Sequence, residues 1–197
     1  MPGSSGRSRS QAAAAGFVAV PALCAALSGA IAALIMLDYI VAAGIAALVC
    51  AALLVTVGGR GDQTVSAMEA ARARRFKFAS RVSSTVFDAS VLAPLAWTQR
   101  VASPRVTVIA LVGLGASYLV SYQLARGQAL GYTGWESALY RATTAGLLVF
   151  ALLAGSFEEA LLEMPLWVFA AVTAGAAGTR SWVVRTQARQ AVPERPP

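Results

Sequence analysis

Six apolar stretches, each about as long as a helix that crosses a lipid bilayer, dominate the chain. A hydrocarbon core of ~30 Å requires about 20 apolar residues per helix. Hydrophobic residues make up 57% of the 197 residues and charged residues only 13%, whereas a soluble domain carries about 25% charged residues. We therefore predict an all-α polytopic membrane protein with six transmembrane helices, at Gly16–Leu37, Tyr39–Gly58, Val82–Trp97, Arg105–Leu124, Ser137–Gly155 and Ala160–Gly178.

The basic residues predict the orientation of these helices, because Lys and Arg accumulate in cytoplasmic loops. If both termini are cytoplasmic, only Arg100 and Arg105 of the sixteen Lys and Arg residues lie outside. We therefore predict a multi-pass protein of the plasma membrane with its N and C termini in the cytoplasm. The first apolar stretch is longer than the ~7–15 apolar residues typical of a signal peptide, and we expect it to be retained.

The predicted organisation is one membrane domain between two short tails. Residues 1–11 are rich in Gly, Ser and Arg and are predicted to be a disordered basic tail, because such a composition buries little apolar surface. Residues 12–182 form the six-helix membrane domain, which includes a basic juxtamembrane segment at about 59–81. Residues 183–197 form a polar C-terminal tail. Asp38 alone separates the first two stretches, which predicts a tight hairpin.

The residue types present exclude several chemistries. The chain has no histidine, which rules out histidine acid–base catalysis, histidine metal ligation and a Ser-His triad. Its two cysteines, Cys24 and Cys50, lie inside apolar stretches and form no CxxC pair, so we expect no zinc or dithiol site. Buried free cysteines usually behave as small hydrophobic residues. Nucleic acid is not an expected partner, because topology accounts for the basic charge.

The basic segment that leads into the third span is the most charged part of the chain. It reads EAARARRFKFASR over residues 69–81, and Arg74, Lys77 and Arg81 fall along one side of a helix. One interpretation is an anchor that attracts anionic lipid at ~1 kcal/mol per basic residue. The other is a binding site for a lipid headgroup or a nucleotide phosphate.

Asp88 is the only acidic residue predicted deep inside a span, since Glu163 falls in the first turn of the sixth. Carboxylates within membranes are costly and tend to line cavities or face partners, which makes a functional role the default hypothesis. The alternative is a structural role, in which Asp88 pairs with a nearby arginine or with serines of its own segment, at Ser83, Ser84 and Ser90.

The order of these features resembles the CDP-alcohol phosphatidyltransferase family, and most closely its actinobacterial phosphatidylinositol-phosphate synthases. The most specific stretch is YLVSYQLARGQALG at Tyr118–Gly131, in which Ala125 and Arg126 match a basic turn of the family and Gln128 replaces its acid. The following GWESALYRATTAGLL is similar to the family's entry to the fifth span. The resemblance covers Gly58–Gly155 and implies phospholipid biosynthesis at the cytoplasmic side of the membrane.

The chain departs from the family in its acidic signature, DxxDGxxAR followed by GxxxDxxxD. In the family, these four aspartates hold a divalent metal ion against the CDP diphosphate, and the last one acts as a base. Aligning the signature on Arg72 recovers neither of the first two aspartates, and aligning it on Arg74 recovers one acid, Glu69. Downstream, Asp88 either takes the third position or lies one turn beyond the fourth.

The resemblance and the missing acids together predict a non-catalytic or repurposed homologue that binds phosphate or lipid headgroups and needs no cofactor. A homodimer or a partner synthase is an expected partner besides the bilayer and its anionic headgroups. One alternative is an active transferase with a rebuilt site, in which Asp88 and Glu69 are weak catalytic candidates and Mg²⁺ or Mn²⁺ is required. Another is a small transporter or channel subunit. The predicted phosphate-binding residues are Arg72, Arg74, Arg126 and Arg141.

Overall fold

The computed structural model describes residues 22–65, 70–129, 138–158 and 160–190, and every regular element in these ranges is a helix. The prediction of an all-α fold is confirmed for this part of the chain, and each predicted apolar stretch contributes to one helix. The six helices are α1 Ala22–Met36, α2 Ile40–Val65, α3 Ala70–Thr98, α4 Pro104–Ala129, α5 Ala138–Gly155 and α6 Ala160–Gln190.

Several helices are longer than the apolar stretches that predicted them. Helix α2 continues to Val65 and so includes the first part of the basic juxtamembrane segment. Helix α3 begins at Ala70, so residues 70–81 of that segment and the third predicted span form one helix. Helix α6 continues to Gln190, which places residues 183–190 in a helix rather than in the predicted polar tail. The physical reason is that an apolar stretch shows only which part of a helix can lie in hydrocarbon. Arg, Gln and Ala have high helix propensity, so they continue the helix beyond that part into water. Residues 1–21 and 191–197 lie outside the described ranges.

The predicted hairpin at Asp38 is present as a helix-capping turn. Asp38 has a positive φ of 64°, a left-handed conformation in which Asp is better tolerated than most residues. The N–H of Tyr39 donates to the carbonyl of Leu34 at 2.8 Å, and the N–H of Asp38 donates to the carbonyl of Ile35 at 3.1 Å. This is the Schellman pattern, and it satisfies carbonyls that the end of α1 would otherwise leave without partners.

The helices alternate in direction, which gives the bundle two distinct ends. One end carries the α1–α2 turn, the end of α3 and the α5–α6 connection. Asp38 of the turn, Trp97 of α3 and Phe157 of the connection line one surface depression at this end. We name this the turn end. At the opposite end α3 and α5 begin and α4 and α6 finish. Helix α4 packs against α3 and α6, and α5 packs against α2 and α6, around a core that includes Phe87, Leu92, Leu148, Leu152 and Phe169.

Two glycines allow helices to approach closely within this core. A Cβ atom at Gly113 of α4 would lie 3.0 Å from the Phe169 ring of α6, and one at Gly44 of α2 would lie 2.6 Å from Leu153 of α5. These are the helix pairs with the most extensive packing. The small side chain at each position therefore sets the distance between the helices.

Two of the described helices are long and apolar enough to cross a membrane, namely Pro104–Gly127 and Ala160–Gln187. The apolar parts of three others are shorter, at Ala22–Met36, Ile40–Thr56 and Leu139–Gly155. In α3 the apolar run is interrupted by Asp88 and several hydroxyl residues. Two such helices weakly indicate a membrane association, and the number of spans stays a prediction.

We expect Gly113→Leu to destabilise the protein by about 1–3 kcal/mol, the usual effect of overpacking a close-packed core. The matched control is Gly115→Leu, because nothing lies within 4 Å of a Cβ at Gly115 on the same helix. Thermal unfolding in detergent should show a lower melting temperature for the first variant only. Equal melting temperatures for the two variants would contradict this account of the α4–α6 contact.

Candidate functional site

Four helices enclose a polar cleft at the end of the bundle opposite the turn end. Its cavity of about 40 Å³ is large enough to hold a water molecule or a small polar group. The lining combines three arginines, one carboxyl group, one phenol, several hydroxyls and two aliphatic side chains: Arg81, Arg141, Arg180, Asp88, Tyr140, Ser84, Ser117, Ser121, Thr144, Val120 and Leu124. We refer to this site as the arginine cleft.

Helical spacing explains why these residues share one site. On α3, Arg81, Ser84 and Asp88 stand three and four residues apart, which aligns them on one face. The contributions from α4 (Ser117, Val120, Ser121 and Leu124) and from α5 (Tyr140, Arg141 and Thr144) follow the same spacing. Helices α3, α4 and α5 therefore each present at least two polar residues on one face at the same end of the bundle, and α6 adds Arg180.

Asp88 is a buried carboxyl group, with 7% of its surface exposed. Its hydrogen-bond partner is Ser117 of α4, whose hydroxyl donates to Oδ2 of Asp88. A buried carboxyl group without a donor would be strongly unfavourable. This contact therefore links the third and fourth helices at the deep end of the arginine cleft.

The serines of α3 that we considered as partners of Asp88 are engaged differently. The hydroxyl of Ser83 donates to the carbonyl of Ala79 at 2.9 Å, and that of Ser90 donates to the carbonyl of Phe87 at 2.7 Å. Ser84 lines the cleft on the same face as Asp88. Helical serines readily bond to carbonyls of the preceding turn, which leaves the role of partner to a serine on another helix.

A second hydroxyl contact joins the same two helices closer to the cleft opening. The Thr85 and Ser121 hydroxyl oxygens are 2.9 Å apart, and Thr85 donates to the carbonyl of Arg81 at 3.1 Å. Arg81 lines the cleft, and its carbonyl is the last acceptor in this series of hydrogen bonds. The two hydroxyls therefore help to position the backbone of Arg81.

Contacts between helices hold Arg141 and Arg180. Arg141 of α5 donates from Nη1 to Oγ of Ser80 on α3 at 3.1 Å. Arg180 of α6 donates from Nη1 to the carbonyl of Val120 on α4 at 3.3 Å, and its guanidinium carbon lies 5.4 Å from the centroid of the Tyr140 ring. Such a distance allows a cation–π interaction. Both guanidinium groups are therefore positioned by the fold.

The structure separates the predicted phosphate-binding residues. Arg141 lies in the cleft together with Asp88. Arg126 is exposed on α4, with Nη1 3.4 Å from the Tyr122 hydroxyl, and does not line the cleft. Arg72 and Arg74 belong to the first turns of α3, but their side chains lie outside the described part of the structure, as does Glu69.

Sequence reasoning did not identify the other cleft residues as a group. Arg180 counted only toward membrane orientation, and Ser117 and Tyr140 were not singled out. One signal was available, because Arg81 falls one turn before Ser84 and two turns before Asp88. A polar stripe on α3 of this kind predicts similar stripes on the neighbouring helices, although it does not say which residues carry them.

The donor set of the cleft does not fit the divalent metal ion that the resembled family uses. Asp88 is the single carboxylate among its lining residues, which also include three guanidinium groups that would repel a cation. Among the described residues, no three His, Cys, Asp or Glu side chains meet in a group that could hold a metal ion. Magnesium is usually held by one or two carboxylates that retain room for water and phosphate. The arrangement is suited to binding an anion.

Comparison of this chain with protein-family models, with curated proteins and with solved structures found no match.

We expect Ser117→Ala to destabilise the protein by about 1–3 kcal/mol, because the buried Asp88 carboxyl would lose its hydrogen-bond donor. Ser90→Ala is the matched control, since Ser90 is also buried and bonds only to its own helix. Thermal unfolding in detergent measures both.

The double variant Asp88→Leu with Ser117→Ala tests whether the loss of stability in Ser117→Ala comes from leaving the Asp88 carboxyl without its donor. Removing both polar partners should recover part of the lost stability. If Ser117→Ala is no more harmful than Ser90→Ala, the contact does not stabilise the fold.

Proposed function

We propose that this protein is a multi-pass membrane protein whose arginine cleft binds the phosphate of an anionic lipid headgroup without transferring it. The observation that carries the proposal is the convergence of Arg81, Arg141 and Arg180, from three helices, on one polar cleft whose described lining includes one carboxylate. The proposed location is the plasma membrane, with six spans and both termini in the cytoplasm. A homodimer or a partner synthase is the proposed protein partner.

The outer surface of the bundle supports placement in a membrane. Large apolar side chains are exposed along the helices, for example Ile45, Val108, Leu111 and Phe150, whereas soluble proteins rarely expose large continuous apolar surfaces. Exposed aromatic residues lie toward both ends, with Trp97 and Phe157 at the turn end and Trp182 near the cleft. Tryptophans at two levels are typical of the two membrane interfaces.

The charge difference between the two ends supports a cytoplasmic position for the cleft. Arginines 81, 126, 141, 180 and 185 belong to the end that contains the cleft, whereas the described residues of the turn end include two arginines, Arg100 and Arg105, beside the acids Asp38 and Glu158. Cytoplasmic segments are enriched in Lys and Arg. The cleft would therefore face the leaflet in which anionic lipids create a negative surface potential.

Phosphate is the ligand class that best suits these side chains. Guanidinium groups bind phosphate through paired N–H donors in a planar fork, and such charge-assisted hydrogen bonds are about twice as strong as neutral ones. The hydroxyls of Ser84 and Thr144 line the same cleft and add neutral donors. Contacts between helices already position Arg141 and Arg180, which reduces the entropy lost on binding.

The chemistry of the cleft supports binding without transfer. Releasing CMP from a CDP-linked lipid would develop negative charge on the leaving phosphate, which the resembled enzymes neutralise with metal held by four aspartates. Among the cleft residues that the structure describes, the one carboxylate, Asp88, does not supply that ligand set. The structure gives less support to transport, because the part of α3 that follows Asp88 toward the turn end buries Val91, Leu92 and Leu95, and the hydroxyl of Ser90 there is bonded to its own backbone.

The proposal is tested by measuring how the purified protein, in phosphatidylcholine nanodiscs, binds a soluble short-chain phosphatidic acid and, separately, inorganic phosphate. We expect the variant with both Arg141→Gln and Arg180→Gln to bind the lipid about 10- to 100-fold more weakly, as expected for losing charge-assisted hydrogen bonds. Arg126→Gln is the matched control, because Arg126 is exposed on the same bundle end and does not line the cleft.

Equal affinities for the double variant and the wild type would refute the proposal. Binding of inorganic phosphate with the same affinity would identify free phosphate, rather than a headgroup, as the ligand. A separate assay follows release of CMP from CDP-diacylglycerol with Mg²⁺ or Mn²⁺ and a panel of alcohols. Release that is lost in Asp88→Asn would support the transferase alternative instead.

A further inference from the structure

The hairpin of α1 and α2 buries a second polar cluster that is separate from the arginine cleft. Its members are Cys24 and Ser28, one turn apart on α1, and Cys50 on α2. All three are almost completely buried, with exposed fractions of 1%, 1% and 0%. Both cysteines belong to the apolar core of the bundle and are free thiols.

The contacts within this cluster leave one hydroxyl without a partner. The Cys50 thiol donates to the carbonyl oxygen of Cys24, with Sγ 3.9 Å away, and it adjoins the side chains of both Cys24 and Ser28. The Ser28 hydroxyl is fully buried and has no hydrogen-bond partner among the described atoms. The carbonyl that a helical serine would normally use, four residues earlier, is the one that accepts from Cys50.

Other buried hydroxyls of the described helices show what is unusual about Ser28. Ser83 and Thr173 each donate to a carbonyl four residues earlier, at 2.9 and 2.8 Å. A buried hydroxyl without a partner lowers the stability of the folded state by about 1–3 kcal/mol. A ligand that gives this hydroxyl a hydrogen-bond partner would recover part of that free energy. The Cys50 sulfur beside this hydroxyl and the Cys24 side chain beside Cys50 indicate which ligand chemistry would suit the cluster.

We propose that Cys24, Cys50 and Ser28 form a binding site for a soft monovalent cation of the Cu(I) or Ag(I) type. Thiol sulfur is the soft ligand that selects such ions. These ions can be bound by only two sulfur ligands, in a linear two-coordinate arrangement. Structural zinc requires four ligands, which this cluster does not supply among the described residues. The chemistry of the cluster therefore favours a two-coordinate ion over zinc.

The charge balance of the bound state suits an apolar surrounding. One thiol loses its proton to solvent and forms a bond from its thiolate sulfur to the cation, while the second thiol keeps its proton and binds through a sulfur lone pair. The resulting complex has no net charge, which avoids the penalty of burying an ion. The Ser28 hydroxyl then gains an acceptor, the metal-bound thiolate, to which it can donate a charge-assisted hydrogen bond.

The test uses the full-length protein in detergent under anaerobic, reducing conditions, titrated with Cu(I) in competition with a chromophoric Cu(I) chelator and, separately, with Ag(I). We expect one ion per chain. The chain contains only two cysteines, so Cys24→Ser and Cys50→Ser should each abolish this binding. Ser28→Ala should keep the stoichiometry and weaken the affinity by about 10-fold, as loss of a hydrogen bond to a metal ligand does.

The matched control is Ser83→Ala, a buried serine on another helix that bonds to its own backbone, and its affinity should equal that of the wild type. If Cys50→Ser fails to fold, Cys50→Ala removes the same sulfur from the core. The proposal is overturned if the wild type releases all Cu(I) to the chelator, if either cysteine variant still binds one ion, or if Zn(II) binds equally tightly.

Discussion

The carboxyl group of Asp88 is buried within an apolar bundle, and the arrangement of the helices at the cleft end depends on how this group is hydrogen-bonded. Because the group lies among core side chains such as Phe87 and Leu92, it needs a donor from within the protein. Ser117 supplies that donor from α4. The contact fixes the rotation of α3 relative to α4, and this rotation brings Ser84 and Arg81 to the same side as Ser121.

The polar cleft that results differs in character from the rest of the molecule. Its arginines come from helices that are distant in sequence, and Arg141 and Arg180 bridge to α3 and α4 through their guanidinium groups. These bridges give the ends of four helices a shared network at the place where an anion would bind. The same geometry therefore serves stability and, in the proposed function, recognition of an anion. The close α4–α6 packing at Gly113 and Phe169 supports it from the core.

A large part of the fold could be predicted from the sequence, because each apolar stretch produced a helix and Asp38 produced the turn between the first two. Helix ends were predicted less well. Hydropathy detects where a helix can lie in hydrocarbon, so it missed the polar extensions to Val65 and Gln190. Asp88 was identified as a site candidate from its charge within a span, and Arg141 from the family resemblance of its segment; both line the cleft. Arg126 was also identified from the resemblance and lies outside the cleft, since a local sequence match does not report the direction of a side chain.

The sequence by itself determined the helical character of the chain, the positions of its apolar segments and the asymmetric distribution of its basic residues. These properties depend only on local composition and on the spacing of residues along the chain, both of which can be read directly from the sequence. Only the tertiary structure decided that Asp88 meets Ser117, 29 residues away, and that Cys24, Ser28 and Cys50 form a cluster. Such contacts depend on how each helix is rotated about its axis, and that rotation is set by side-chain packing between helices rather than by the sequence of either helix alone.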